Sequence, residues 1–334
     1  MPMHTTDPIT HQADIVHLVA APSALPQAPS QGRVIPTTLC AQAIQHQLTP
    51  PGKVILIGDH TSQDQARKLG LESHARIAPP MGKTILARRQ LKQHLANAKR
   101  VICWNDELIP LLKGVPAELD LISTLPSQSP KYVSKRVNIR TFEQADFEYW
   151  TARGLHPSND TLLPKVLDNL CDDQSQQSRE QIRSALGIDE STMCLGVLAD
   201  RPSDIDAREL AFLLGLLDAS GYCLTGVVPN TATHLAAARR HHRGLGSPFQ
   251  LLIASEPITS MLPAFDTLIH PCFDGSASSM LIERMCENAD VPVLRLKQST
   301  RSGLSRAPGV AGPIVEHLDE MLKANQSMRE HSHV

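Results

Sequence analysis

The chain of 334 residues is long enough for two domains of ordinary size, each with its own hydrophobic core. Its formal net charge of -2 does not suggest a nucleic-acid-binding protein, and no segment approaches the run of about 18 apolar residues expected of a transmembrane helix. Aromatic residues make up only 3%, so the core must consist mainly of aliphatic side chains, which favours α/β layers over an aromatic-rich β-sandwich.

In the first half of the chain, short apolar runs alternate with amphipathic segments. The apolar runs predict strands at 14–20, 53–59, 100–104, 119–123 and 136–140. The segments between them predict helices at 36–48, 61–69, 84–98 and 105–113.

The second half repeats this pattern with a second set of strands and helices. Predicted strands lie at 194–199, 222–228, 249–254, 266–271 and 291–296. Predicted helices lie at 206–219, 230–243, 257–263 and 278–287. Because the apolar runs are continuous and helices separate them, the strands are expected to be parallel and buried on both faces.

The two halves are separated by the polar segment "DDQSQQS", which has the composition of a linker and places a boundary near 170–178. The sequence therefore predicts an α/β protein with two Rossmann-like parallel-sheet domains. The carboxyl ends of both sets of strands are expected to face one cleft, since ligands in open α/β sheets bind there.

The seven cysteines are scattered and form no C-x-x-C pair, so we expect buried free thiols rather than disulfides or a zinc site. The first residues, "MPMHTTDPITHQAD", lack the basic and apolar regions of a secretory signal. We expect a cytoplasmic protein without a transmembrane segment, for which peripheral membrane contact and oligomeric state stay open.

One loop stands out for its small and hydroxyl-bearing residues. The predicted strand ending at Pro271 is followed by Asp274 and by "GSASS", Gly275 to Ser279, and then by a helix that carries Glu283. Backbone N–H groups at such a helix start can hold a phosphate group. The same loop could instead be a capping turn, in which a serine hydroxyl accepts from the first N–H groups of the helix.

The segment "LPAFDTLIHPCFDGSASSMLIERM…VPVL" resembles the nucleotide-binding half of family-4 glycosyltransferases, which have the GT-B fold. The resemblance covers roughly residues 30–300 and is more specific after residue 180. It implies an N-terminal acceptor-side domain (1–172), a C-terminal nucleotide-sugar domain (173–312) and a C-terminal helix and tail (313–334). The implied activity is transfer of a sugar from a nucleoside-diphosphate donor to an acceptor.

The resemblance also implies roles for individual residues. Glu283 would accept hydrogen bonds from the ribose hydroxyls, which suits a carboxylate because it can accept from two neighbouring hydroxyls. Asp274 would contact the donor sugar, and Arg201 would stabilise the departing diphosphate. The diphosphate itself would lie against Gly275, Ser276, Ala277, Ser278 and Ser279. Neither a metal ion nor a cofactor beyond the donor substrate is implied.

Several positions depart from the family pattern. Gly275 stands where the family has its first motif Glu, and Val197 stands where it has an Arg. Asn105 and Asp106 occupy the region of the family's acceptor-side His. These departures leave two alternatives open: a non-catalytic GT-B scaffold that binds a partner, and a sugar-nucleotide epimerase with the same fold.

The densest basic run is "ARRHHRGLG", residues 238–246, at the end of a predicted helix. It could contact a phosphate. Cations are also favoured at a helix C-terminus by the helix dipole, and Gly244 is expected to stop the helix.

Overall fold

A computed structural model of the chain gives the fold. It describes residues 14–22, 33–78, 84–124, 137–142, 144–159, 165, 178–201, 204–246, 249–272, 277–297 and 320. These residues form two compact units. The first comprises the described residues of Met1–Gln176, Ala199–Pro202 and Gly275–Ala289, and the second comprises the others. The expected boundary between residues 172 and 173 lies outside the described residues, as does the expected tail except residue 320.

Among the described residues, twelve strands form two sheets in which every strand pair is parallel. The strands of the first sheet are β1 (Ile15–Ala20), β2 (Lys53–Ile57), β3 (Ala75–Ile77), β4 (Arg100–Cys103), β5 (Glu118–Ser123), β6 (Val137–Thr141) and β7 (Ser158–Asn159). Those of the second are β8 (Met193–Val197), β9 (Leu224–Pro229), β10 (Gln250–Ala254), β11 (Thr267–Cys272) and β12 (Val293–Lys297).

The strands are connected mainly by helices. The α-helices are α1 (Val34–Gln45), α2 (His60–Lys68), α3 (Thr84–His94), α4 (Gln144–Thr151), α5 (Arg179–Leu186), α6 (Ala207–Ala219), α7 (Leu235–Gly244) and α8 (Ala277–Asn288). Among the described residues, the segments Asp106–Leu112 and Ile258–Ala264 are 3-10 helices. Within the described ranges, no helix is both long and apolar enough to cross a membrane.

The first sheet has the strand order β3-β2-β1-β4-β5-β6-β7. In its register, Leu18 of β1 lies opposite Ile55 of β2 and Cys103 of β4. All three side chains are completely buried, which is the continuous apolar pattern expected of a parallel sheet covered on both faces. Helix α1 packs against both β1 and α8, so most of its circumference is buried rather than one stripe.

The second sheet has the order β10-β9-β8-β11-β12. At its centre Leu195 of β8 lies opposite Gly226 and Thr267 on the two neighbouring strands. The next residue, Gly196, must be small, because a Cβ atom there would lie 2.6 Å from the ring of Phe265. The aromatic ring thus packs directly on the backbone of the central strand.

In the second unit, an ionic network around Asp266 lies next to the starts of strands β8 and β11. Asp266 accepts from Arg179 Nη2 at 2.6 Å, from Arg183 Nη1 at 3.2 Å and from Cys194 N at 2.8 Å. Arg183 is only 3% exposed and also donates to backbone carbonyls, including Ala264 O at 3.0 Å. One carboxylate therefore connects helix α5 to the starts of β8 and β11.

The predicted fold class is confirmed, since both halves of the chain form parallel α/β sheets. Each strand predicted from the apolar runs is present within a few residues of its expected bounds. Two of the segments predicted as helices, 105–113 and 257–263, form 3-10 helices, and each contains a proline, Pro110 or Pro263. A proline has no N–H to donate to the α-helical ladder, which favours a short, tighter helix.

Four elements were missed by the sequence pattern: β3, β7, α4 and α5. The strands β3 and β7 are three and two residues long, too short to show periodicity. Helix α5 does carry a sequence signal, because Ser178 and Gln181 form a capping box and Gly187 ends the helix with a φ of 68°.

The cysteines within the described residues agree with the expectation of free thiols. Cys40, Cys103, Cys194 and Cys286 are buried, whereas Cys223 is exposed. Burial raises the pKa of Cys103 to about 12, because the thiolate would lose its hydration. Such thiols are protonated at neutral pH and act as small apolar side chains.

Candidate functional site

The strand order of the first sheet reverses between β1 and β4, with β2 and β3 on one side and β5 to β7 on the other. Ligands of open parallel sheets bind outside the carboxyl ends of the strands at such a reversal. Asn105 joins the two strand ends here: its Oδ1 accepts from Ala20 N at 2.9 Å. Asp106 and Glu107 follow directly, at the start of the first 3-10 helix.

Arg33, the residue that precedes α1, is the centre of a buried ionic cluster at this position. Its Nη2 donates to Asp106 Oδ1 at 3.1 Å, and its Nη1 donates to Asp200 Oδ2 at 3.2 Å. Its Nε lies 3.1 Å from Glu107 Oε1. The side chains of Arg33 and Asp106 are completely buried, so neither charge is stabilised by water.

Asp200 belongs to the first unit, although it follows β8 by three residues in sequence. Its Oδ1 accepts from Ile35 N at 2.8 Å, and its backbone carbonyl accepts from Val34 N at 2.8 Å. Arg33, at the N-cap position of α1, makes no side-chain capping bond. Asp200 therefore supplies the capping acceptors that the local sequence lacks, and its negative charge lies at the positive end of the helix dipole.

Glu107 is the more accessible carboxylate, with one-third of its side chain exposed. The cluster contains three carboxylates, those of Asp106, Glu107 and Asp200, and two guanidinium groups, those of Arg33 and Arg201. With all five groups ionised, the cluster would have a net charge of minus one. Burial raises the pKa of Glu107 to about 7, Arg33 opposes the rise, and Asp106 adds to it. Glu107 can therefore accept or release a proton near neutral pH, as a general acid or base must.

Arg201, predicted to contact the diphosphate, lies at the edge of this cluster. Its Nη2 is 3.6 Å from Glu107 Oε1, and its side chain is 29% exposed. Its Nε is buried and makes no hydrogen bond to the part of the chain that the structure describes. The structure thus brings Arg201 next to a titratable carboxylate, an arrangement that the sequence did not predict.

The predicted phosphate-binding loop is described only in part. Asp274, Gly275 and Ser276 lie outside the described residues. Ala277, Ser278 and Ser279 form the first turn of α8, which contains no acidic residue, and Ser279 is buried. The start of α8 is therefore electrostatically compatible with an anion, while the phosphate contact itself stays a prediction.

Glu283 lies on the second turn of α8, and its side chain is partly buried. Burial raises the pKa of Cys286, one turn further along the helix, and the negative charge of Glu283 adds to the rise. Arg201 and α8 belong to the same compact unit. The ribose-binding role of Glu283 stays a prediction.

Three residues of the buried cluster were missed at the sequence level: Arg33, Glu107 and Asp200. For Asp106 the sequence indicated only that it occupies the region in which the family has its acceptor-side His. A usable signal was present, since Asp106, Glu107 and Asp200 each follow a continuous apolar run within a few residues. Acidic residues that directly follow buried parallel strands are expected at the ligand-binding edge of the sheet.

Among the described residues, no group of three or more His, Cys, Asp or Glu side chains could hold a metal ion. The cluster around Arg33 contains carboxylates, yet the guanidinium group already neutralises part of their charge.

Comparisons with known proteins bear on the fold of the whole chain. No protein-family model and no curated protein matches the sequence. Solved structures do match. A UDP-GlcNAc 2-epimerase from Neisseria meningitidis bound to UDP-GlcNAc has a TM-score of 0.57 at 12% identity, covering 94% of this chain and 92% of that chain.

Two further structures give the same result. HepE from Anabaena in complex with UDP-glucose has a TM-score of 0.55 at 13% identity, covering 93% of this chain and 90% of that one. A glycosyltransferase from Rickettsia africae has a TM-score of 0.53 at 10% identity, covering 92% and 88%. At such identities the similarity establishes the GT-B fold and nothing about activity.

Proposed function

We propose that the protein binds a nucleoside-diphosphate sugar and transfers the sugar to an acceptor hydroxyl. The observation that carries the proposal is the position of Glu107, a one-third exposed carboxylate at the strand-order reversal, 3.6 Å from Arg201 Nη2. Burial raises the pKa of this carboxyl to about 7, which agrees with such a role. Structures of the same fold contain UDP-glucose and UDP-GlcNAc, which supports a nucleotide-sugar ligand.

In the proposed reaction, Glu107 accepts the proton of the acceptor hydroxyl. The acceptor oxygen forms a bond to the anomeric carbon of the sugar, and the bond from that carbon to the diphosphate oxygen breaks. The electron pair leaves with the diphosphate, whose added charge Arg201 stabilises. Positioning of the reactants and electrostatic stabilisation of the leaving group supply most of the acceleration in such a mechanism.

The donor contacts in this proposal follow the family resemblance. Glu283 would bind the ribose hydroxyls, and Asp274 would contact the sugar. The backbone from Gly275 to Ser279 would hold the diphosphate at the start of α8. The proposal requires no metal ion, because the guanidinium group of Arg201 and the dipole of helix α8 would both stabilise the charge of the diphosphate.

Calorimetric titration with UDP, GDP and their common sugars tests donor binding, and release of the nucleoside diphosphate tests turnover. Glu107→Gln should retain donor binding and lower turnover by about a hundredfold or more. Glu72→Gln, which changes an exposed carboxylate of the same unit, serves as the matched control and should behave as the wild type. Absence of binding to every nucleotide would instead support the non-catalytic scaffold.

A second candidate is epimerisation of the nucleotide sugar, because a carboxylate that titrates near neutral pH could also remove a proton from a sugar carbon. The two activities give different products. Transfer releases a nucleoside diphosphate, whereas epimerisation by proton exchange in deuterated water introduces deuterium into the sugar. NMR spectra of UDP-sugars incubated with the protein separate the two.

A further inference from the structure

Helix α3 presents two large apolar side chains to solvent at its first turn. Ile85 is 78% exposed and Leu86 is 44% exposed. The opposite face is well packed, since Ala87, Leu91 and Leu95 are buried in the core of the first unit. The buried residues are spaced by four, so they form one face of the helix that packs against the core. Ile85 and Leu86 lie outside this face and do not contribute to the core.

The same outward face of α3 is basic. Arg89 lies one turn after Ile85, Lys92 lies three residues further, and both side chains are exposed. In the sequence, the stretch from Ser73 to Asn105 contains seven Lys and Arg and no Asp or Glu, within a chain of net charge -2. The cations of this face are thus not matched by acidic residues of their own segment.

We propose that the outward face of α3 docks on an anionic phospholipid bilayer, with Ile85 and Leu86 inserted at the head-group level and Arg89 and Lys92 contacting lipid phosphates. An interfacial helix combines apolar side chains with cations in this way. Each basic residue near such a surface adds a favourable electrostatic contribution.

Other partners fit the face less well. Nucleic acid is bound by cations and by aromatic side chains that stack on bases, and neither Ile85 nor Leu86 can stack. An acidic protein groove would satisfy Arg89 and Lys92 and would need a matching apolar pocket for the exposed pair. A bilayer satisfies both requirements without a specific shape, because its apolar layer lies directly beneath its phosphates.

Docking would also position the proposed site. Arg88, on the same helix, donates from Nη2 to Pro110 O at 2.9 Å, in the 3-10 helix that begins with Asp106 and Glu107. Lys92 Nζ lies near Gly114, the second residue after that segment, at 3.4 Å from where a Cβ of Gly114 would be. The segment that carries Glu107 is therefore held by the helix that contacts the lipid.

Sedimentation with vesicles tests this proposal without any nucleotide sugar, so its outcome is independent of transferase activity. The full-length protein should sediment with vesicles of mixed phosphatidylglycerol and phosphatidylcholine, and not with phosphatidylcholine alone. The double variant Ile85→Ser/Leu86→Ser and the double variant Arg89→Glu/Lys92→Glu should each bind at least about tenfold more weakly. All four residues are exposed, and thermal unfolding checks that the variants are folded.

The matched controls change equivalent side chains of the second unit. Phe212, 55% exposed on α6, is changed to Ser, and Arg243, exposed on α7, is changed to Glu. Both should bind the vesicles as the wild type does. The proposal is overturned if the wild type does not bind, if it binds neutral vesicles equally, or if only the control variants lose binding.

Discussion

Arg33 and Asp106 form a hydrogen-bonded ion pair, 3.1 Å from Nη2 to Oδ1, in which both side chains are completely buried. Removing charges from water is costly, and such a pair contributes little net stability unless further hydrogen bonds satisfy both partners. Here Arg33 also reaches Asp200 and Glu107, so one guanidinium group holds three carboxylates. The cluster is therefore most sensitive to removal of a single member, which leaves the others buried and unbalanced.

Asp200→Ala should destabilise the first unit by about 3 kcal/mol. The change removes a partner of buried Arg33 and the acceptor that caps Ile35 N at the start of α1. Urea unfolding monitored by circular dichroism measures the loss. Asp59→Ala removes another N-cap carboxylate, on the partly exposed start of α2, and should cost only about 1 kcal/mol. Equal losses for the two variants would contradict the ionic role of Asp200.

Titration of Glu107 should lower the free energy of unfolding as the pH rises from about 4.5 to about 7. The lower value is the ordinary pKa of the carboxyl, and the higher one is its pKa in the folded chain. In that window the unfolded chain loses the proton while the folded chain still holds it, so deprotonation favours unfolding. The change should amount to about 1 kcal/mol, given the solvent screening of a one-third exposed side chain.

Glu107→Gln removes this contribution, since the amide does not titrate. The difference in unfolding free energy between wild type and variant should therefore change across the window and stay constant above about pH 8. Turnover of the wild type, if Glu107 is the base, should rise with pH through about 7 in the same preparation. A pH-independent difference in stability would show that the pKa of Glu107 is not raised.

Asp266→Ala should destabilise the second unit by about 3 kcal/mol, because Arg183 would remain buried without its carboxylate. Unfolding should be followed by limited proteolysis with fragment identification, which separates the two units. The control Asp14→Ala breaks the exposed pair with Lys99 and should cost less than about 1 kcal/mol. A loss for Asp266→Ala as small as that of the control would show that solvent compensates the arginines.

Glu283→Gln should weaken binding of the nucleotide about tenfold or more, if its carboxylate accepts from the ribose hydroxyls. Calorimetry with the nucleotide found to bind in the screen provides the measurement. Glu287→Gln alters an exposed carboxylate one turn further along α8 and should leave affinity unchanged. Loss of affinity in both variants would point to the charge of the helix rather than to a ribose contact.

The strands of the fold could be predicted because their signal is local. In β1 and β2 consecutive residues such as Leu18 and Val19, or Ile55 and Leu56, are all buried, and this produces an uninterrupted apolar run. The helix predicted at 105–113 is present as a 3-10 helix, a form that Pro110 favours because it has no N–H to donate to an α-helical ladder. Strand β7 could not be predicted, since two residues have no period.

The sequence by itself determined the alternation of strands and helices and hence the two parallel-sheet units, because periodicity and composition act over neighbouring residues. Only the tertiary structure decided which charged residues form ion pairs. Arg33 is separated from Asp106 by 73 residues and from Asp200 by 167, and no local pattern encodes such contacts. The raised pKa of Glu107 depends on these tertiary contacts, because burial and the charges of residues distant in sequence determine it.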